Sequence, residues 1–342
     1  MQSGNVALQA IEQEFIVRPP TMADVKTVVS FFNLCSLELE GKETWEEAEL
    51  KMEWQEPGFV LERDCLMVFT QDEQLVGFAE VWDTAEPRVR GHTWVQVHPE
   101  YRESELPQYL LAFGHRRAAQ MVPAAPEGAR VVLRTGFDVR SEWVAKLFEA
   151  HGYRPIRYFQ WMVVELTDVP EPATMPDGVV IRQMQPEEWK TAVFVQDKSF
   201  EDHWGYVKRS DEEHLKWWQH YMEHEPDYDP TLWFVAVADE EIVGVSFCKG
   251  RITEDDDMGW VEDLGVLREW RRRGIAEALL RHSIFQLHQR GKKRVGLGVD
   301  ASSLTGATRL YDKVGMRPTK RSIVFELVLR AGEDLSTQTL AK

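Results

Sequence analysis

The chain is poor in cysteine, has no excess of positive charge and contains no long apolar run. Its three cysteines, Cys35, Cys65 and Cys248, cannot all pair internally and show no metal-ligand spacing. That is the usage of a chain kept in a reducing compartment. Lys and Arg number 40 against 57 Asp and Glu, a net charge of −17. A nucleic-acid binder presents a basic face, so this balance argues against one. No segment approaches the roughly 20 apolar residues of a membrane span, and the first residues lack the basic-then-apolar pattern of a secretory signal. These absences predict a cytoplasmic protein with no nucleic-acid partner, no membrane partner and no metal. What is present is substantial: 43% hydrophobic residues and 13 tryptophans in 342 residues. That is material for two domains, as a monomer or a homodimer.

Taken in order, the chain reads twice. Phe15–Arg18 predicts a strand, Met22–Leu39 and Trp45–Trp54 predict helices, and Cys65–Gln71 with Gln74–Asp83 predict a hairpin about Asp72-Glu73. His92–His98 (strand), Glu105–Val122 (helix), Arg130–Thr135 (strand), Glu142–His151 (helix) and Arg157–Leu166 (strand) follow. Residues 169–178, with Pro170, Pro172 and Pro176, have the composition of a linker. The same order then returns: Val179–Arg182, Pro186–Phe200, Asp211–Glu223, Leu232–Ala238, Glu241–Lys249, a strand to Val266, a helix to about Arg290, Arg294–Val299, Thr305–Val314 and Ser322–Leu329. Four stretches match residue by residue. Val17-Arg18 matches Ile181-Arg182, and Leu75-Val76-Gly77 matches Ile242-Val243-Gly244. Val97–Arg102 matches Val266–Arg271, and Leu147–Pro155 matches Leu310–Pro318. A domain-sized period means a tandem pair rather than a solenoid. The expected division is 1–168, a linker 169–178, 179–332 and a tail 333–342.

The most informative stretch runs from Trp260 to Leu280. It begins as a strand, turns at Arg271-Arg272-Arg273-Gly274-Ile275-Ala276 and opens a helix. The first N–H groups of a helix lack internal partners and carry the positive end of its dipole, which suits a phosphate or pyrophosphate. Gly274 and Ala276 keep side chains away from an approaching ligand, and the arginines add positive field. A charged surface turn is the plainer reading of three arginines. The repeat argues against it. Opposite Arg272, Gly274 and Ala276 the first half has Glu103, Glu105 and Pro107, and opposite Tyr311 it has Phe148. A carboxylate repels an anion and a phenyl ring gives no proton, so the working site is expected in the second half.

With these residues in view, the second half resembles the GCN5-related N-acetyltransferase superfamily. The match is carried by Val266, Arg271-x-x-Gly274-x-Ala276 and Leu279-Leu280, and by Val299-Asp300 followed by Thr305–Tyr311 and Gly315-Met316. The whole chain is similar in layout to tandem members of the mycothiol synthase group. The resemblance implies an α/β (α+β) fold of two tandem domains, each a mixed, mostly antiparallel sheet flanked by helices, with the catalytic sheet splayed after Val266 and Val299. It implies acetyl-CoA as co-substrate, with its pantetheine arm along Leu264, Gly265 and Val266 and its pyrophosphate on Arg271 to Ala276. Ser303 stands where the family often has Asn. Tyr311 would protonate the leaving thiolate; a phenol with a reference pKa near 10 stays protonated at neutral pH.

An amine acceptor must lose a proton. Glu262 and Asp263, on the strand leading to the turn, are the candidate bases, with water as the other carrier of the proton. Adjacent strand residues face opposite sides, so only one should point into a cavity unless a bulge intervenes. Solvent-facing carboxylates are the plainer reading. Asp202, His203 and Trp204 fall between two predicted helices, on the wall that the resemblance gives to the acceptor, and their chemistry suits a cation; a packed, hydrogen-bonded histidine is the plainer reading of His203. Trp217 and Trp218 are expected in the core, Cys248 buried on a strand and Asp255–Asp257 in a turn. The expected activity is direct acetyl transfer to a primary amine of a small cationic molecule. A non-catalytic acetyl-CoA-binding or ligand-sequestering protein, and a different acyl donor, remain alternatives.

Overall fold

A computed structural model describes residues 11–304 and 306–339. The chain divides into two compact units: Met1–Ile156 with Ile323–Leu335, and Arg157–Ser322 with Ser336–Lys342. The first unit contains β1 (Ile16–Arg18), α1 (Val25–Glu40), α2 (Glu47–Trp54), α3 (Leu61–Asp64), β2 (Cys65–Phe69), β3 (Leu75–Trp82), β4 (Arg90–Val97), α4 (Leu106–Ala118), β5 (Val131–Asp138) and α5 (Glu142–Ala150). The second contains most of β6 (Arg154–Glu165), then β7 (Val180–Gln183), α6 (Trp189–Phe200), α7 (Asp211–His224), β8 (Trp233–Ala238), β9 (Glu241–Lys249), β10 (Met258–Val266), α8 (Ile275–Gln289), β11 (Arg294–Asp300) and α9 (Ala307–Lys313). The last strand, β12 (Arg317–Arg330), leaves the second unit at Ser322 and gives Ile323–Arg330 to the first.

This exchange corrects the expected boundaries. In the first unit the strands lie in the order β1-β2-β3-β4-β5-β12; in the second, β6-β11-β10-β9-β8-β7. Strand β6 lies before the proline-rich stretch in sequence, yet it pairs antiparallel along the whole of β11, from Arg294↔Glu165 to Asp300↔Phe159. The stretch at 169–178 is therefore no boundary. It lies on the second unit, with Ala173 packed on that core and Pro176 Cγ 3.8 Å from where a Cβ on Gly274 would stand. The tail from 333 is likewise engaged: Glu333 bridges to Ala129 in the first unit, and Thr337 pairs with the backbone of Gly205 and Tyr206 in the second. Thr305, the expected start of α9, and Met1–Ala10 of the expected lead-in lie outside the described residues.

The repeat is visible in contacts as well as in order. Arg18 bonds Asp24, and Arg182 bonds Glu188, each six residues on. Arg102 donates through Nε to the Val97 carbonyl, and Arg271 to that of Val266. The β4–β5 pair of the first unit and the β10–β11 pair of the second are parallel, whereas β1–β2, β2–β3 and β3–β4 in the first and β6–β11, β9–β10, β8–β9 and β7–β8 in the second are antiparallel. The strands carry their apolar runs into the cores; β9 is buried from Ile242 to Cys248. Trp218 lies in the core with Trp233 and Phe247, and Trp217 packs at its margin. All three cysteines are free and buried. No described helix is long and apolar enough to cross a membrane.

Helix α6 lies against β10 at Gly265, where a Cβ would stand 1.9 Å from Ser199 Oγ and 2.9 Å from Ser199 Cβ. A methyl group there must push the helix off the strand. Gly265→Ala is expected to cost about 1–3 kcal/mol and to lower the melting temperature; an unchanged melting curve would show the contact to be soft.

Candidate active site

Strands β10 and β11 pair only over Met258↔Arg294 to Val261↔Leu297. From Glu262 onward β10 keeps its bonds to β9 alone, so its other edge is open through Val266. This is the expected splay, with Leu264 and Val266 along it. On the β9 side the register shifts between Val261 and Asp263. That bulge falls on Glu262, and it breaks the alternation that would have sent Glu262 and Asp263 to opposite faces.

Beyond Val266 the chain makes a short 3-10 turn, Arg268–Trp270, and then the anion-type turn. Arg272 and Gly274 both adopt the left-handed region, at φ 61° and 82°. Left-handed residues set among extended and helical ones turn successive N–H groups toward one side, as in anion-binding nests. No side chain caps α8. The first N–H to find an acceptor in the helical pattern is that of Ala278, on the Gly274 carbonyl, so the N–H groups of Ile275, Ala276 and Glu277 are left over. The turn fits a diphosphate by its backbone. The counterpart in the first unit does not. There Ser104 Oγ takes the Leu106 N–H, and the residue before α4, Glu105, is right-handed.

The arginines do less than expected. Arg271 is committed within the fold: its guanidinium donates to the Val266 and Ser199 carbonyls and to Asp202. Arg273 lies over the Trp270 ring and bonds the Glu269 carbonyl. Only Arg272 has a side chain with no partner among the described residues. Asp202, expected at the acceptor, is buried and paired with both Arg268 and Arg271. It braces the turn instead of facing a substrate, because two guanidiniums satisfy it.

The carboxylates do meet. Asp263 accepts from the Gln196 side chain of α6 at 3.0 Å, and burial, then the neighbouring Glu262, push its pKa up to about 7. Burial also raises Glu262, opposed by Lys249, whose ammonium lies 3.8 Å away. Glu262 remains 42% exposed. A side chain that solvent reaches and protein nonetheless desolvates lines a concavity. Lys249 is held in turn by Glu225 at 3.0 Å, with Glu225 only 2% exposed, and sits over the Tyr221 ring of α7. Gln196, Glu225, Lys249 and Tyr221 were not singled out from the sequence. Gln196 interrupts the apolar face of its helix and Lys249 ends an apolar strand; those were the available signals.

Tyr311 on α9 is buried, which pushes its pKa up to about 12. Its hydroxyl has no partner among the described residues, yet it is not among the wholly enclosed unsatisfied atoms, so it keeps contact with solvent. Glu277 ties α9 to α8 by bonding both Lys313 and Arg281. The Ser303 N–H bonds the Asp300 carbonyl in the turn before α9. The His203 ring packs tilted against Phe200, with centroids 4.2 Å apart, and burial, then Arg271, depress its pKa. The Trp204 indole donates to Gln338, and Arg157, itself paired with Asp300, covers its ring. Trp204 is thereby a packing residue rather than the open aromatic wall expected.

In the first unit Thr93 and Trp94 stand opposite Glu262 and Asp263, and Phe32 opposite Gln196. Trp94 packs on Phe32 at 4.7 Å and on Trp45 at 5.5 Å. Aromatic rings occupy the place of the polar pair.

The fold is that of an acetyltransferase, and the comparisons agree. Residues 192–316 match the Acetyltransferase (GNAT) family. A GCN5-related N-acetyltransferase from Sphaerobacter thermophilus is 30% identical, with a TM-score of 0.77 over 95% of this chain and 98% of that one. The mycothiol acetyltransferase of Thermomonospora curvata is 30% identical over 74% of this chain and 79% of its own length. That of Streptomyces griseus is 28% identical over 72% and 75%. A tandem GNAT protein from the clavulanic acid biosynthesis pathway shares the fold at a TM-score of 0.68 and 14% identity, over 94% of this chain and 100% of that one. The chain belongs to the GCN5-related N-acetyltransferase family and is an N-acetyltransferase.

Two outcomes test this geometry. Gly274→Glu puts a carboxylate and a strained backbone at the head of α8; calorimetry should show CoA binding lost, and retained binding would rule out the turn. Asp263 has a raised native pKa, so the folded state binds its proton more tightly than the unfolded one. Stability is then highest below the unfolded value near 4 and falls as pH rises toward 7. Asp263→Asn should therefore unfold at higher denaturant than the native protein at pH 8, with the gap closing at pH 4.5.

Proposed function

We propose that the second unit transfers the acetyl group of acetyl-CoA directly to a primary amine on a small cationic molecule. The observation that carries this reading is the opened edge of β10, with Glu262 and Asp263 at its start and the uncapped head of α8 at its end. The co-substrate supplies an acyl thioester. The N–H groups of Ile275, Ala276 and Glu277, with the Arg272 side chain, would hold its diphosphate. The open backbone from Leu264 to Val266 would bond the pantetheine arm, as another strand would.

The chain's own groups then handle two protons. An amine arrives protonated, and only its neutral form has a lone pair. Asp263, with a pKa near 7, accepts a proton at neutral pH without holding it too tightly, which is the condition for a general base. Tyr311, protonated up to about pH 12, gives its proton to the departing thiolate. Negative groups at Glu262 and Asp263 favour a cationic acceptor. The relatives named mycothiol acetyltransferase support a small-molecule acceptor. The first unit, lacking the open turn and the carboxylates, is read as non-catalytic.

Tyr311→Phe is expected to lower kcat by about 10²–10⁴-fold while CoA affinity by calorimetry stays unchanged; near-normal turnover removes Tyr311 as the acid. The native kcat/KM should fall as pH drops through about 7, where Asp263 gains its proton. In Asp263→Asn that limb should vanish together with most of the rate.

A further inference from the structure

We infer that Lys249, anchored on Glu225, divides the work of the two carboxylates, so that Glu262 holds the acceptor's cation and Asp263 takes its proton. This rests on the reading above and extends it to residues outside the reaction itself. Lys249 and Glu225 are positioning residues, which act through Glu262 and Asp263.

The geometry is specific. Lys249 ends β9 opposite Trp260, two positions before the bulged Glu262. Its ammonium is fixed from behind by Glu225 and from the side by the Tyr221 ring. Glu225 has no freedom to swing: its side chain is 2% exposed, and its backbone N–H bonds the Tyr221 carbonyl, closing the end of α7. The lysine cannot turn away to solvent without leaving a buried carboxylate unpaired, which is costly. It therefore stands 3.8 Å from Glu262 as a permanent neighbour.

The two carboxylates consequently differ in company. Glu262 faces Lys249 from β9, Glu225 and Tyr221 from α7 and the residue after it, and Asp263 on its own strand. Asp263 faces Glu262, Tyr221 and the neutral Gln196 amide, with no cation bonded to it among the described residues. Asp227, also near Tyr221, is paired with Arg251. An ammonium at close range favours the ionised form of Glu262, whereas Asp263 has only an amide to do so. Two carboxylates whose environments separate their proton affinities take separate roles.

The charge balance points to the same division. Glu225 and Glu262 share one lysine, which leaves one negative charge uncompensated at the mouth. An acceptor ammonium completes that balance and is drawn beside Asp263. The proton passes from nitrogen to the Asp263 carboxylate, leaving a neutral amine and a carboxylic acid. The amine nitrogen then bonds to the acyl carbon, the carbon–sulfur bond breaks, sulfur takes the Tyr311 proton, and the second proton of the nitrogen restores the Tyr311 phenol, leaving a neutral amide and a free thiol. Glu262 stays charged throughout, so an acceptor with a second cationic group remains held after its reacting nitrogen has been neutralised.

The test is the acid limb of kcat/KM, followed in four variants. Removing the positive charge in Lys249→Met should move the limb to higher pH by roughly one unit. Removing the negative charge in Glu225→Gln should move it to lower pH. The double variant should return it close to the native position, and Lys249→Arg should leave it in place. A merely structural role would lower rates at every pH, or move both single variants the same way, and either result overturns the inference. Thermal melts identify a variant that fails to fold; the double variant and Lys249→Arg then carry the test, since a displaced limb in either contradicts it. A limb that is absent from the native enzyme, or retained in Asp263→Asn, refutes the base itself. A limb lost in Asp263→Asn but unmoved in Lys249→Met and Glu225→Gln refutes only the role of Lys249.

Discussion

Val261 is the last residue of β10 that pairs with β11, and the rest of the site follows from that parting. A strand inside a sheet has both edges bonded. Here one edge from Glu262 to Val266 has no strand beside it, although backbone donors and acceptors demand partners. The edge is therefore a ready template for a ligand that carries amides of its own. The bulge on the opposite side of the same strand breaks the alternation between two acidic neighbours, Glu262 and Asp263. One strand thus loses regularity on each edge at the same few residues, opening one edge and bringing two carboxylates together on the other.

Such a site is held against its own tendencies. Arg272 is left-handed without being glycine, Asp263 carries a desolvated carboxyl, and the α8 head is bare. Strain of this kind persists only where the surroundings over-determine it. The bracing is visible. Asp202 ties Arg268 and Arg271 together, Arg271 bonds the last carbonyl of β10, and Glu277 joins α8 to α9. These ion pairs hold the site in shape, and that explains why residues with the chemistry of ligand contacts turn out to be struts.

Much of the fold was legible because local pattern and tertiary role agreed. Strand and helix periods placed nearly every element, and the paired copies set the turn before α8 apart from its counterpart before α4. Glu262 and Asp263 were legible as a pair, while the bulge that unites them was not, since register is set between strands. Asp202 and Trp204 misled because an acidic residue and an indole read alike whether they meet a ligand or a buried arginine. Lys249 and Glu225 lie 24 residues apart and become partners only through the sheet. The domain boundary was misplaced for a similar reason. Proline-rich composition marks a stretch without regular structure, and it carries no information about which sheet the preceding strand joins.

That boundary has a consequence for how the protein is made. Each unit is completed by a strand encoded with the other: β6 leaves the first for the second, and residues 323–330 return. During synthesis the first unit stays one strand short until nearly the whole chain has emerged, so the two copies mature together and not in succession. The duplication visible in the sequence is no longer separable in the molecule. A gene cut at the proline-rich stretch would yield two fragments, each missing an edge strand of its sheet and each bearing one that belongs elsewhere.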